Sequence, residues 1–252
     1  MDELIPSLHV LLDPLAGAFR QEVHARFCMF VGAWIVCLGR RNISRIWETT
    51  GQSEQRNHAA AYRTFSEAVW NWDEVCRLLV LGMVGLLPGV RIWAVVDDTL
   101  AHKRGAKVAF GGIFLDAVLS TKKHKVFRFG NNWVMLGLVV ELSFRPSRYF
   151  CLPILWRVYE KRGSKSKTNH RTKSQRAAEM VAVLSGWLPE RNILVIGDSA
   201  YLGKHLLRQR PANVDALGPI HWKAALYEAW AESKGRQKHG DRLPNPKANV
   251  GR

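Results

Sequence analysis

The dipeptide Pro88-Gly89 separates two kinds of sequence, and that division constrains the fold more than any other feature. Proline locks its own backbone and glycine frees its own, so the pair ends whatever element precedes it. Before it, apolar residues recur at helical spacing; after it, they come in short β-rich runs. Leu4, Leu8, Leu11, Leu12 and Leu15 form the first helical stripe. Phe27 to Gly39 predicts a buried helix that is too short to span a bilayer. Ser44 to Trp47 opens another, ahead of a polar stretch from Thr49 to Asn57. Phe65 to Gly82 carries a longer amphipathic pattern, with Val69, Trp72, Val75, Cys76, Leu79 and Val80 inward. A helical amino-terminal domain over residues 1–87 follows from this reading.

Beyond the break, Val90 to Val96 is apolar on both faces, as a central strand requires, and stops at Asp97-Asp98-Thr99. Asn132 to Leu142 and Arg148 to Val158 predict two more strands around the turn Arg145-Pro146-Ser147. Glu160 to Lys173 contains no apolar residue and reads as a solvated loop. Ser174 to Trp187 predicts a helix with Ala178, Val181, Ala182 and Leu184 on one side. Asn192 to Ile196 predicts a fourth strand ending at Gly197-Asp198, and Leu202 to Arg210 a short helix. The helix between the third and fourth strands is a crossover, which lets the fourth run parallel to a neighbour. The fold class is α/β: a mixed sheet over residues 88–231, behind the helical domain. A basic Gly/Pro-rich tail over 232–252 lacks periodicity and reads as loop.

A formal charge of +16 attracts polyanions, nucleic acid first and an anionic membrane surface second. Lys103, Arg104 and Lys107 follow the first aspartates closely, where they would meet phosphates flanking a cleaved bond. Lys165, Lys167, Arg171 and Lys173 belong to the densest basic cluster and would track a DNA backbone. Such contacts give affinity and salt dependence rather than sequence choice. Cys28, Cys37, Cys76 and Cys151 form no C-x-x-C pair and read as reduced core thiols of an intracellular protein. The acidic start lacks the basic region of a signal peptide, so a cytoplasmic, nucleoid-associated protein without a membrane span is expected. Trp133, Trp156 and Trp187 fit packing positions, and His102 reads as a structural histidine or a water-positioning neighbour of Asp97.

Two apolar runs each end in an aspartate, Asp97 and Asp198. On parallel neighbouring strands, the two would lie roughly 5 Å apart. Carboxylates that close repel unless a proton or cation sits between them. Oxygen donors of this kind suit Mg2+ or Mn2+, which take one or two carboxylates together with water and substrate phosphate. A pair of such ions serves phosphodiester cleavage. The competing reading is a turn or cap role, which Asp198-Ser199 before a helix also fits.

The stretch AVVDDTLAHKRG, from Ala94 to Gly105, resembles the first catalytic segment of DDE-type insertion-sequence transposases. ILVIGDSAYLGKHLL, from Ile193 to Leu207, resembles the second. GRQKHGDRLPNP at Gly235 to Pro246 and RTFSEAVWNWDEVCRLLV at Arg63 to Val80 are similar to further parts of the family, so the resemblance covers most of the chain. It implies an RNase H-like core, Asp97 and Asp198 as catalytic metal ligands, and Mg2+ or Mn2+ in a two-metal site. Asp98 is the lesser candidate ligand, because alternation along a strand turns it to the opposite face. Transposon ends and target DNA would be the partners, a homodimer the assembly, and metal-dependent cleavage and strand transfer the activity.

The family also calls for a glutamate on a helix well downstream of the second aspartate, and no residue up to Arg252 fills that place. Glu228 and Glu232 come too early, and Glu179 reads as a solvated helix face. The alternative expectation is therefore a catalytically incomplete DNA-binding module or transposition inhibitor. A nuclease outside transposition would need Glu179 to point at the aspartates.

Overall fold

The computed structural model describes residues 6–54, 57–85, 87, 91–105, 107–141, 144–161, 170–221, 223–228, 240–244 and 246. The chain divides into two compact units, Met1–Leu87 and Pro88–Arg252.

The first unit is helical. It comprises α1 (Pro6–Leu12), a 3-10 turn (Asp13–Ala18), α2 (Gln21–Val36), α3 (Ile43–Thr49), α4 (Ala59–Ser66) and α5 (Trp72–Gly85). Phe30, Ala33, Cys37, Ile46, Trp47 and Ala61 form one buried cluster. Leu12, Leu15 and Cys28 form a second, against which Leu8, Phe19, Phe27, Val31 and Leu78 pack. Asn42 starts α3 by accepting the Arg45 N–H on its side chain.

The Phe65–Gly82 pattern is two helices rather than one. Asn71 accepts the Glu74 N–H on its side chain and the Val75 N–H on its carbonyl, which begins a new helix at Trp72. The indole N–H of Trp70 folds back to the Thr64 carbonyl and holds the bend between them. Val75, Cys76 and Val80 are buried as the periodicity expects, but Val69, Trp72 and Leu79 are exposed: Val69 lies in the connection between the two helices, and the buried stripe of α5 is narrower than the expected one. The Phe27–Gly39 segment is likewise buried on one side only: Trp34, Ile35 and Val36 face outward.

The second unit is built on a mixed sheet. Its strands are β1 (Arg91–His102), β2 (Gly112–Leu115), β3 (Phe127–Glu141), β4 (Tyr149–Tyr159), β5 (Asn192–Gly197) and β6 (Val214–Leu217). The order is β2-β3-β1-β5-β6, with β4 also paired to β3. β3 runs antiparallel to β1 and β4, whereas β5 runs parallel to β1 and β6. Between β4 and β5 the chain crosses over through α6 (Lys173–Trp187), and α7 (Lys204–Arg208) follows β5. Three antiparallel strands, a crossover helix and a parallel strand beside the first make this the RNase H-like α/β arrangement that the resemblance implies.

α6 opens with a capping box, in which Thr172 and Gln175 exchange side-chain and backbone hydrogen bonds. It packs against β3 and β4 through Ala177, Met180, Val181 and Leu184. Ala178 is half-buried and Ala182 exposed, so the buried stripe is rotated from the expected one. Beneath it lie Ile92, Ala94 and Val96 of β1 and Val134, Leu136, Leu138 and Val140 of β3.

Several expectations change. β1 does not stop at Asp97 but pairs with β3 as far as His102. A strand with a long partner on one edge need not end where the shorter partner on its other edge does. β2 and β6 are too short to give a periodic signal. Within the Gly/Pro-rich tail, Arg242–Leu243 forms a strand (β8) against Leu226–Tyr227 (β7). Residues 229–239, with Glu232, lie outside the described residues, as do Leu4 and Val90. Cys28, Cys37 and Cys76 are buried thiols, but Cys151 is exposed on β4. Trp133, Trp156 and Trp187 are half-buried. Among the described residues, no helix is long and apolar enough to cross a membrane.

Gly130 marks where β1 and β3 approach most closely. A Cβ there would lie 2.2 Å from the Ala101 carbonyl oxygen, a backbone atom that cannot swing away. Gly130→Ala is therefore expected to lower the unfolding free energy in urea by roughly 1–3 kcal/mol. Gly186→Ala in α6 meets nothing within 4 Å. That substitution is expected to raise it by up to about 1 kcal/mol through helix propensity. Equal effects of the two variants would contradict the close approach.

Candidate active site

β1 and β5 are in register from Arg91↔Asn192 to Val96↔Gly197. Asp97 and Asp198 each lie one residue beyond the last pair, on adjacent strands roughly 4.8 Å apart. Alternation places Asp97 on the exposed face of β1 with Trp93 and Thr99, and turns Asp98 to the face that α6 covers. Asp97 and Asp198 are both exposed.

Each exposed aspartate has one oxygen committed to backbone. Asp97 Oδ1 accepts the Asp98 N–H at 2.8 Å. Asp198 Oδ1 accepts the Ala200 N–H at 2.8 Å and the Tyr201 N–H at 3.3 Å. The turn role weighed for Asp198 is thus real, and it uses only one of the two oxygens. Among the described residues, no ion pair reaches either side chain. Two exposed carboxylates, each with one oxygen free of hydrogen bonds and no ion-pair partner among the described residues, suit a hard divalent cation. Among the described residues, however, no group of three or more His, Cys, Asp and Glu side chains is placed to hold a metal ion.

Asp98 is bound up differently. Its Oδ2 accepts Lys173 Nζ at 2.6 Å and Asn132 Nδ2 at 3.0 Å, and its Oδ1 accepts the Tyr201 hydroxyl. Burial raises the pKa of this carboxyl, but the hydrogen bonds from Lys173, Tyr201 and Asn132 and the Lys173 charge together outweigh it and leave it below the ordinary value. Tyr201 is 1 % exposed. Burial pushes its hydroxyl pKa far up, and so do the bond to Asp98 and the charges of Asp98, Asp97 and Asp198. The hydroxyl therefore keeps its proton and donates it. Tyr201 holds Asp198 through its backbone N–H and Asp98 through its side chain, tying the two aspartate-bearing segments together. The sequence showed an aromatic after the second aspartate; its reach across 103 positions to Asp98 was not visible there.

The other candidates are dispersed. Lys173 is spent on Asp98 and lies over the Tyr159 ring. Arg171 pairs with Glu179 at 3.0 Å, and Arg176 pairs with the same residue at 3.3 Å. Glu179 thus has each of its oxygens on an arginine. Lys165 and Lys167 lie outside the described residues. Lys103, Arg104 and Lys107 are exposed, but the extension of β1 carries Lys103 six residues, about 20 Å, from Asp97. His102 is five residues from Asp97, about 16 Å along the strand, and bonds Asp116 at 2.6 Å, so it is structural.

A family model described as DDE superfamily endonuclease matches residues 14–251. No curated protein and no solved structure matches the chain.

A carboxyl whose folded pKa lies below its unfolded value stabilises the fold above the unfolded value and loses that contribution as pH falls through the folded one. Asp98 is such a group, with an ordinary value of 3.8. In metal-free buffer at neutral pH, Asp98→Asn is expected to cost about 1–3 kcal/mol in urea unfolding, a figure that already allows for partial solvent screening. The difference from wild type should hold above the ordinary value of 3.8 and shrink as pH falls below it and through the lower folded value of Asp98. A difference that stays constant across that window would remove the charge from the account.

Proposed function

The chain belongs to the DDE superfamily endonucleases, and on that premise we propose that it cleaves DNA at insertion-sequence ends and joins the freed strand to a target. DDE superfamily endonucleases generally depend on divalent metal, and DNA is their substrate. The observation that carries the finer reading is the placement of Asp97 and Asp198 one step past the last β1–β5 pair, exposed and on neighbouring parallel strands.

Asp97 and Asp198 would hold Mg2+ or Mn2+, each offering the oxygen that its backbone bonds leave over. When bound, the metal supplies charge neutralisation for the scissile phosphate and for the oxygen that leaves it. The chain's own contribution is orientation. Backbone N–H groups fix the turn of each carboxylate, and Tyr201 fixes one segment against the other. Lys173 neutralises Asp98 on the covered face, so that negative charge on the open face comes from the two ligand carboxylates. The attacking group is water in the first step and a DNA 3′ hydroxyl in the second, and no covalent bond to the protein is required. A dimer that holds two ends together is part of this reading, as are Lys103, Arg104 and Lys107 as contacts to backbone phosphates distant from the cut.

The second reading is a DNA-binding module that lacks chemistry. It is favoured by the absence, among the described residues, of a third acid beside Asp97 and Asp198.

A supercoiled plasmid carrying the element's ends separates the two. With Mn2+, the wild type is expected to nick it, and Asp97→Asn or Asp198→Asn to lose more than the roughly 10–100-fold that loss of an outer partner costs a metal site. Both variants should bind end DNA as tightly as wild type in EDTA. Tight binding with no nicking by wild type would establish the second reading, and nicking that survives either substitution would overturn the first.

A further inference from the structure

The face of the sheet that carries Asp97 does not end at the aspartates. Asp97 pairs with Met135, and alternation from there puts Trp133, Asn131, Phe129 and Phe127 of β3 on the same side. The register from 127 to 135 has no bulge; the single shift lies at Leu136/Gly137. Phe129 is six residues from Met135 and Phe127 eight, so their rings stand about 20 and 27 Å from the aspartate along one strand direction. There they meet β2 in the cross-strand pairs Ile113↔Phe129 and Leu115↔Phe127. All four side chains are open to solvent: Phe127 and Ile113 are 59 % exposed, Leu115 45 % and Phe129 37 %. Phe110 adds a fifth apolar group from the preceding turn, at a φ of 58° that a bulky residue seldom adopts.

The platform is held rigidly. Asn131 Nδ2 donates to the Ala109 carbonyl at 2.8 Å, and the Lys103 N–H donates to the Phe129 carbonyl at 3.1 Å. The Phe129 ring lies against the backbone of Gly111, where a Cβ would come within 2.7 Å of it. Asp116 accepts the Val118 and Leu119 N–H groups and His102, which fastens the β2–β3 connection to the end of β1.

Charge identifies the occupant. Between positions 103 and 129 the basic residues are Lys103, Arg104, Lys107, Lys122, Lys123, Lys125 and Arg128, and the one acid is Asp116. That acid is buried and bonded to His102, so within this segment no exposed carboxylate offsets the seven basic residues. A second copy of the chain placed symmetrically here would bring like charges together, which costs several kcal/mol. A duplex keeps the faces of its bases stacked and would leave the rings unused. Aromatic faces inside a basic frame suit a strand whose bases are unpaired, because every base has a face to stack and a phosphate to neutralise.

We propose that the face formed by Phe127, Phe129, Ile113 and Leu115 binds unpaired DNA bases, on the same side of the sheet as the proposed cleavage site. This rests on the endonuclease reading for its direction: the strand would run from the aspartates along β3, with the opened bases some 20–27 Å away by strand rise.

Binding in EDTA tests it without cleavage. Fluorescein-labelled single-stranded oligonucleotide and the matching duplex are titrated with the full chain, with a Phe127→Ala/Phe129→Ala variant, and with a Phe127→Leu/Phe129→Leu variant. The leucine variant keeps apolar bulk and guards against unfolding. Both variants are expected to lose single-strand affinity by tenfold or more, the scale of one or two lost stacking contacts. Duplex affinity should change by less than about twofold, since phosphate contacts carry it. Undiminished single-strand binding by the leucine variant would overturn the proposal. So would a Phe-dependent shift in sedimentation, which would assign the face to a second copy, or Phe-dependent capture by phosphatidylserine vesicles without a single-strand preference. Asp97→Asn serves as the reference. Failure of that variant to stop nicking would sink the cleavage site and leave the stacking face standing, whereas normal single-strand binding by the leucine variant does the reverse.

Discussion

Alternation along a single central strand governs the second unit. β1 is paired on both edges, antiparallel to β3 and parallel to β5, and cannot rotate about its axis. Two consecutive aspartates in such a strand must point to opposite faces. Asp97 is left in solvent and Asp98 is pressed under α6, where an ionised carboxylate persists only if its desolvation is offset. Lys173, Asn132 and Tyr201 provide that offset. The same residue type is therefore left open to solvent at one position and serves cohesion at the next, and what separates the two is one residue of register.

The cohesion has a direction. α6 delivers Lys173 from its first turn, the segment after β5 delivers Tyr201, and β3 delivers Asn132, so elements from distant parts of the chain converge on one carboxylate. The Asn132 amide meets Asp98 through its nitrogen, while its oxygen is buried without a hydrogen-bond partner among the described residues. Tyr201 is the member that reaches the turn after β5, so its bond to Asp98 ties the position of Asp198 to β1. A candidate site on the surface thus depends on a polar contact beneath it, as sites that need fixed geometry generally do.

Much of this was legible in the residues. The apolar runs at Ile92–Val96 and Ile193–Ile196, the crossover helix and the two aspartates could be placed because they are periodic or local signals. The true length of β1 could not, since Thr99 to His102 owe their strand conformation to β3 rather than to their own composition. Tyr201 and Lys173 were visible as residues but not as partners of Asp98, because contacts across 103 and 75 positions leave no mark in spacing. Phe127 and Phe129 lie five and three residues before Asn132, where the apolar run begins, and owe their strand conformation to pairing with β2. In the first unit, the helix boundary at Trp72 depended on one asparagine cap inside a continuous apolar pattern.

β6 is the last strand of the sheet on the side away from β2, and no described strand pairs with its outer edge. Such an edge is a template for further strands. This one is four residues long and carries Asp215, which pairs with Arg91 at 3.6 Å and Arg210 at 3.4 Å. An incoming strand would have to displace that charge cluster before it could add a single rung, and would gain little from so short a ladder. A blunt edge of this kind lets copies of the chain crowd together without strand adding to strand.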